Sequence, residues 1–268
     1  MIEALLSRTA TGKSSLRLNW SAGSTACIIW LCILLFSPSL LLAEQELTAG
    51  VAANFILPFE DLSRMFEQKT AIRVRATFTS TGNLYAQIKN GAPYDLFLSA
   101  DEGHPRMLQQ EGLTEEPFVY ARGKLILWTA KERLCRQTRW QEVLSDPSVA
   151  KIAIANPETA PYGAAAVEAL KMTGWWERIK PRLVFAQNIA QVFQYAQTES
   201  ADAGFCALSS AYSEQGRKGC YVLIPEAPEI VQSACILKRT KQKEAAFAFA
   251  EFLSSPEAKA MNRRYGYE

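Results

Sequence analysis

The chain repeats a short unit in which an apolar strand is followed by a polar loop and an amphipathic helix, and this repetition constrains the fold more than any other feature. Residues 47–53, 72–77 and 95–99 read as strands because apolar side chains run through them or alternate along them. Residues 56–69 and 83–90 place apolar side chains at helical spacing. Such alternation of strands and helices predicts a mostly parallel sheet that is covered by helices on both faces.

The same rhythm returns in the second half, after a longer strand at residues 118–129 with Gly123 and Lys124 in its middle. We interpret this strand as a crossover into a second lobe and the strands at 221–224 and 230–237 as the return. The pattern predicts an α/β protein with two similar lobes, two crossover strands and closing C-terminal helices. The predicted boundaries assign residues 44–122 and 233–268 to lobe I, and residues 123–232 to lobe II.

The first 43 residues have the composition of an export signal. Lys13 and Arg17 precede an apolar run over residues 26–43, and the run ends in a passable cleavage site before Glu44. Cleavage there predicts export and a mature chain of 225 residues. A retained membrane anchor is the alternative, because the run approaches the length of a membrane span, although Ser-Pro-Ser at 37–39 interrupts it.

The mature chain carries a net charge near zero. The leader holds three of the 29 basic side chains and one of the 27 acidic ones, so 26 of each remain. A nucleic-acid-binding surface needs clustered excess Lys and Arg, and no such excess is predicted here. The remaining length suffices for one large domain or two small domains with cores of their own.

Four cysteines follow the leader, namely Cys135, Cys206, Cys220 and Cys235. In an oxidising compartment four cysteines can pair in three ways. The residues around Cys206 and Cys235 read as buried strands, where free cysteines are also common. The sequence therefore leaves open whether a disulfide forms and which cysteines it joins.

Four strand-to-helix loops are small or polar, uncharged, and enter a helix: 53–54, 80–82, 160–163 and 187–189. In an open α/β sheet, ligands bind beyond the carboxyl ends of the strands, where such loops lie. A helix start has unpaired backbone N–H groups and a partial positive charge. Taken together, the loops predict a cleft that holds a compact oxyanion through neutral donors. The alternative for each loop alone is an ordinary helix cap.

Two segments carry a family resemblance, LYAQIKNGAPYDLFLSAD and NPETAPYGAAAVEAL, and shorter matches are VAANF, GKLILW, DAGFCALS and the final RRYGY. In these segments the chain resembles the periplasmic molybdate-binding proteins of ABC uptake systems, which are type II substrate-binding proteins. The resemblance covers nearly the whole mature chain. It implies a two-lobed type II fold, a periplasmic monomer without a cofactor, capture of molybdate or tungstate, and delivery to a membrane permease.

The resemblance also implies which residues bind the ligand. The matching positions for oxyanion binding are Asn54, Ser80, Thr81, Tyr162 and Ile189, the last two chiefly through backbone N–H groups. The metal would be held as an oxyanion, without direct cation ligands. Two departures from some relatives are the amide of Asn54 in place of a serine hydroxyl, and Ala207 in place of a tyrosine. The hydroxyl of Tyr162 is a candidate replacement for the second lost donor.

Other reactive side chains favour structural roles. His104 is the only histidine and precedes Pro105 near a helix start, so we expect a surface or capping role. A single histidine disfavours metal sites, Ser-His-Asp catalysis and Cys206 as a nucleophile. Asp95 and Asp101 read as strand-start and helix-cap positions. We therefore expect a binding protein and not an enzyme. The alternatives are a binding protein for another small anion, and an enzyme or regulatory domain on the same fold.

Overall fold

Two five-stranded sheets organise residues 46–268, the part of the chain that the computed structural model describes. The predicted export signal at residues 1–43, and with it the alternative of a retained anchor, lies outside these residues. Within residues 46–268, no helix combines the length and the apolar composition that crossing a bilayer requires.

The first sheet has the strand order β2-β1-β3-β10-β4, with strands numbered along the chain. Its members are β1 (Glu46–Ala52), β2 (Arg73–Thr79), β3 (Leu96–Leu98), β4 (Phe118–Gly123) and β10 (Ile230–Ile236). Strand β1 pairs in parallel with β2 and β3, whereas β10 runs antiparallel to β3 and β4. The helices of this part are α1 (Ile56–Thr70), α2 (Thr81–Lys89), α3 (Gly103–Gln110), α9 (Lys243–Leu253) and α10 (Pro256–Arg264).

The second sheet repeats this arrangement with the order β7-β6-β8-β5-β9. Its strands are β5 (Leu125–Thr129), β6 (Ile152–Ala155), β7 (Leu183–Ala186), β8 (Ala203–Ala207) and β9 (Cys220–Leu223). Strand β6 pairs in parallel with β7 and β8, and the single reversed strand is β5. The helices here are α4 (Trp140–Ser145), α5 (Pro161–Met172), α6 (Trp176–Ile179), α7 (Ile189–Gln197) and α8 (Leu208–Ala211).

The core of the first lobe follows from the apolar pattern of its strands and helices. Leu47, Ala49 and Val51 of β1 are fully buried, and Phe59 and Leu62 of α1 belong to the same cluster. Burying one Val or Leu side chain stabilises the folded state by about 1.5–3 kcal/mol. The matching faces of β1 and α1 therefore hold the helix against the sheet.

The prediction of two lobes joined by two crossovers is confirmed. The predicted long strand at 118–129 is two strands, β4 and β5, which belong to different sheets and meet at Lys124. The return runs from β9 through residues 224–229 to β10, and β10 lies wholly in the first sheet. The predicted boundary between residues 232 and 233 falls inside β10, at a register irregularity between Gln232 and Ser233.

The structure resolves the question of the cysteines. Cys135 and Cys220 form a disulfide that ties the loop after β5 to the start of β9. Cys206 and Cys235 are free and fully buried in β8 and β10. The strand contexts of Cys206 and Cys235 therefore correctly indicated buried thiols. The pairing of Cys135 with Cys220 depended on the folded chain, which brings together two positions 85 residues apart.

Replacing both Cys135 and Cys220 by serine should lower the free energy of unfolding by about 2–4 kcal/mol, because the bond closes a loop between positions 85 residues apart. Urea denaturation with and without dithiothreitol measures this loss. The wild-type protein should lose a similar amount on reduction, whereas the double variant should not respond to reductant. Identical midpoints for all four samples would show that the bond contributes nothing.

Candidate functional site

A small cavity of about 10 Å³ lies where loops from both lobes meet. The residues that line it are Ala52, Ala53, Asn54, Ser80, Thr81, Ala100, Ala160, Pro161, Tyr162, Asn188 and Ile189. All five residues proposed from the sequence are in this set, and each is at most 5% exposed. The structure thus brings them together around one small, enclosed space.

Each wall of the cavity is the start of a helix. Asn54 lies in a short 3-10 helix, Ala53–Phe55, that leads into α1, and Thr81 is the first residue of α2. Tyr162 is the second residue of α5, and Ile189 is the first residue of α7. Backbone N–H groups in the first turn of a helix have no partner within the helix, and the helix dipole places positive charge there. All four starts border the cavity, so N–H groups without a partner inside their helix lie close to it.

The hydroxyls of Ser80 and Thr81, at the start of α2, differ in their hydrogen bonds. Ser80 Oγ is buried and has no hydrogen-bond partner within residues 46–268. Thr81 Oγ1 accepts a hydrogen bond from the backbone N–H of Ala100 at 3.0 Å, so its own proton remains for the cavity. A buried hydroxyl without a partner is costly, by about 1–3 kcal/mol. Ser80 therefore leaves a hydroxyl beside the cavity that a water molecule or a ligand with acceptor atoms would satisfy.

Asn54 lines the cavity, but its side chain does not offer the amide donor that the sequence suggested. Its Nδ2 donates to Gln232 Oε1 at 2.8 Å and to the hydroxyl of Tyr267 at 3.1 Å, which engages both amide hydrogens. The backbone N–H in the first turn of the short helix is the donor that remains. The Tyr162 hydroxyl accepts from Gln232 Nε2 at 3.2 Å.

Local chemistry explains the two helix starts of the second lobe. Asn188 caps α7, because its side-chain oxygen accepts from the N–H of Gln191 at 3.1 Å, and Ile189 follows directly. In α5, a Cβ on Gly163 would lie 2.2 Å from the carbonyl oxygen of Ala155 at the end of β6. Glycine at this position therefore lets α5 begin directly against the sheet.

The lobes touch each other around the cavity. The N–H of Gly82 donates to the carbonyl of Thr159 at 2.8 Å, and the hydroxyl of Ser209 donates to the carbonyl of Asn54 at 2.9 Å. A Cβ on Gly82 would approach Thr159 Cα to 3.0 Å, so only glycine permits this contact without adjustment. The contacts reduce the exposure of the cavity to solvent, and a less polar surrounding strengthens electrostatic interactions.

A buried polar network lies behind the cavity and was not anticipated from the sequence. It joins Asn54 and Tyr162 to Tyr120, Gln232, Tyr267 and Ser209. Burial raises the pKa of the Tyr120 and Tyr162 hydroxyls well above the usual value, and it raises the pKa of Tyr267 as well. All three therefore stay protonated and neutral. Their positions are far apart in the chain, so no local motif could have grouped them.

The remaining candidates take the structural roles expected of them. His104 contacts Asp101 through both its N–H and its ring, at 3.0 and 2.8 Å. Burial opposes ionisation of Asp101, but the hydrogen bonds from His104 outweigh it and lower the pKa of the carboxyl. Burial alone raises the pKa of the Cys206 thiol. Among the described residues, no group of three or more His, Cys, Asp or Glu side chains is placed to hold a metal ion.

The cavity is neutral in formal charge. Of the described residues that line it, none is a lysine, arginine, aspartate or glutamate. Backbone N–H groups and their dipoles can stabilise a small anion without a positively charged side chain. This agrees with the type of ligand that the four loops predicted.

Comparison with known proteins gives the family. The model of the bacterial extracellular solute-binding proteins matches residues 47–268. This chain belongs to that family. Two relatives are the molybdate-binding proteins ModA of Azotobacter vinelandii and Rhodobacter capsulatus, which are 40% and 38% identical to it. The matches cover 83% and 84% of this chain and 89% of each relative.

Comparison with solved structures confirms the two-lobed fold. The periplasmic molybdate-binding protein of Azotobacter vinelandii superimposes with a TM-score of 0.79 at 35% identity, covering 83% of this chain and 98% of that one. The sulfate-binding protein SubI of Mycobacterium tuberculosis superimposes with a TM-score of 0.70 at 13% identity, covering 83% and 86%. The second likeness concerns the fold alone.

Replacing Tyr267 by phenylalanine should lower the free energy of unfolding by about 1–3 kcal/mol, because it leaves buried partners in Asn54 and Ser209 unsatisfied. Tyr265→Phe is the matched control, since that hydroxyl contacts the partly exposed Asp61, where water can replace it. Denaturant unfolding of both variants measures the difference. A Tyr267→Phe variant as stable as the wild-type protein would mean that the network adds no stability.

Proposed function

We propose that this protein captures molybdate, or tungstate, between its two lobes and delivers it to the membrane permease of an ABC transporter. The observation that carries the proposal is the buried, unpartnered hydroxyl of Ser80 in a cavity walled by four helix starts. The names of the relatives in Azotobacter and Rhodobacter support the same ligand. The oxyanion is cargo, so the proposal requires neither a cofactor nor a chemical reaction.

The donors of the cavity suit a tetrahedral dianion. Ser80 and Thr81 offer hydroxyls, and Asn54, Tyr162 and Ile189 offer backbone N–H groups from three further helix starts. Hydrogen bonds to a charged group contribute about 1.5–3 kcal/mol each. A helix dipole adds up to about 2 kcal/mol in a partly buried position. Backbone and hydroxyl donors can thus stabilise two negative charges without a lysine or an arginine.

Size provides the selectivity in this proposal. Sulfate and molybdate are both tetrahedral dianions that accept similar hydrogen bonds, so a rigid cavity distinguishes them by the reach of its donors. The cavity volume is about 10 Å³, far below the roughly 300–1,000 Å³ typical of sites for drug-sized ligands. In this proposal the site takes a compact inorganic anion, since it has no room for a large organic one.

The cellular part of the proposal follows from the leader and from the relatives. We propose that the leader directs export, that the mature chain works as a monomer in the periplasm, and that the lobes open and close around the ligand. Closure of two lobes is the usual motion of periplasmic binding proteins. The relative of known structure in Azotobacter is itself described as periplasmic.

Isothermal titration calorimetry of the purified mature chain with molybdate, tungstate, sulfate and phosphate should give the tightest binding for molybdate or tungstate. The physical reason is the match between the donor positions and the larger oxyanions. A thermal-shift series with the same anions provides an independent readout, because a ligand that binds only the folded state raises the melting temperature. Tighter binding of sulfate or phosphate would reject the assignment.

Ser80→Ala should weaken molybdate binding by about 1.5–3 kcal/mol and leave the melting temperature of the ligand-free protein unchanged, because Ser80 Oγ has no protein partner within the described residues. Thr81→Val is the informative comparison. It should weaken binding and also lower the melting temperature, since it removes the acceptor for the buried N–H of Ala100. Calorimetry and thermal unfolding separate the two effects. Unchanged affinity in Ser80→Ala would show that this hydroxyl does not contact the anion.

A further inference from the structure

Gln232 connects two walls of the cavity without lining it. Its side chain is completely buried on β10, and its Oε1 accepts from Asn54 Nδ2 at 2.8 Å and from the hydroxyl of Tyr120 at 3.0 Å. Its Nε2 donates to the hydroxyl of Tyr162 at 3.2 Å. Asn54 and Tyr120 belong to the lobe of the first sheet, whereas Tyr162 belongs to α5 of the second. One amide group therefore links a cavity residue from each lobe.

Neighbouring residues pack closely around the side-chain amide of Gln232. Gly123 ends β4 at the first crossover, and a Cβ there would lie 2.0 Å from the Tyr162 hydroxyl and 2.7 Å from Gln232 Nε2. The absence of a side chain at Gly123 is what admits the bond between the lobes. Strand β10 also changes register with β4 directly after Gln232, between Gln232 and Ser233. Both crossovers thus contribute to the place where this amide lies.

The direction of the bonds gives the amide a defined function. Gln232 accepts a hydrogen bond from Asn54 of the first lobe and donates one to Tyr162 of the second lobe. Both its carbonyl oxygen and its amide nitrogen are therefore engaged. By engaging the side chain of Asn54, it holds the short helix that lines the cavity. By engaging Tyr162, it holds the start of α5. A hydrogen bond that joins the lobes must break if they separate at this point.

We propose that Gln232 is a positioning residue that couples the meeting of the two lobes to the capture of the anion. The proposal rests on the function proposed above. In this role Gln232 slows the escape of bound molybdate, because the bond to Tyr162 must break before the lobes separate. A side chain that served only packing would affect the stability of the fold and leave the release of the anion unchanged.

Gln232→Glu tests this role through pH. An ionised carboxylate keeps the shape of the amide but accepts only, and it adds a negative charge behind an anion site. When protonated, the carboxyl is neutral and can again donate to Tyr162. Burial raises the pKa of an introduced glutamate, so its titration falls within an accessible range. Between pH 6 and pH 9, molybdate affinity of this variant should fall about tenfold or more, chiefly through faster dissociation.

The wild-type protein should show little change over the same range, because the cavity residues carry no ionisable carboxyl, amine or imidazole group. Gln232→Met, which removes both bonding functions, should release molybdate faster than the wild type at every pH. Ser233→Ala is the matched control, since its buried hydroxyl donates to the carbonyl of Phe118 and contacts no cavity residue. Stopped-flow dissociation and calorimetry, with thermal unfolding at each pH, provide the readouts.

The outcomes separate the two proposals. Faster, pH-dependent release in Gln232→Glu, with Ser233→Ala unaffected, supports the positioning role. Wild-type affinity and release rates in both Gln232 variants, with lowered stability alone, would overturn it and leave the proposed function standing. Failure of the wild-type chain to bind molybdate or tungstate at all would overturn both.

Discussion

Unpaired backbone N–H groups at four helix starts are the constraint around which the two lobes are arranged. Each group would be satisfied by water on an open surface, but the lobes meet over these starts and bury them. Burial without a partner is unfavourable, and a small anion can satisfy several such donors at once. Parallel strands bring their carboxyl ends to one edge of a sheet, so the repeated strand-to-helix units place their loops around the cavity.

The interior behind the cavity is made of neutral polar groups. Tyrosine hydroxyls and side-chain amides need only hydrogen-bond partners, whereas a buried lysine or arginine would need its charge compensated as well. The network supplies those partners internally, through Gln232, Tyr267 and Ser209. It therefore stiffens the region between the lobes without creating a competing charge near the anion. In the proposed function, this is how a doubly charged ligand is held where formal positive charge is absent from the cavity walls.

The crossovers have a second role beyond connecting the lobes. Each sheet contains one reversed strand, β10 in the first and β5 in the second, and both adjoin the chain segments that pass between lobes. Gly123 at the end of β4 leaves space for the hydroxyl of Tyr162, and Gln232 on β10 donates a hydrogen bond to that hydroxyl. The segments about which the lobes would move are thus in direct contact with a residue of the cavity.

The sequence by itself determined the α/β alternation, the two lobes, and the loops around Asn54, Ser80, Thr81, Tyr162 and Ile189, because these depend on local periodicity and on helix starts. Only the tertiary structure decided what each side chain does. Asn54 and Gln232 are 178 residues apart, and Cys135 and Cys220 are 85 apart, so no local pattern records either contact. The amide of Asn54 turned away from the cavity for the same reason, since its partners arrive from distant strands and from the C-terminal segment. Local patterns set where helices begin, whereas long-range packing sets which donors remain free.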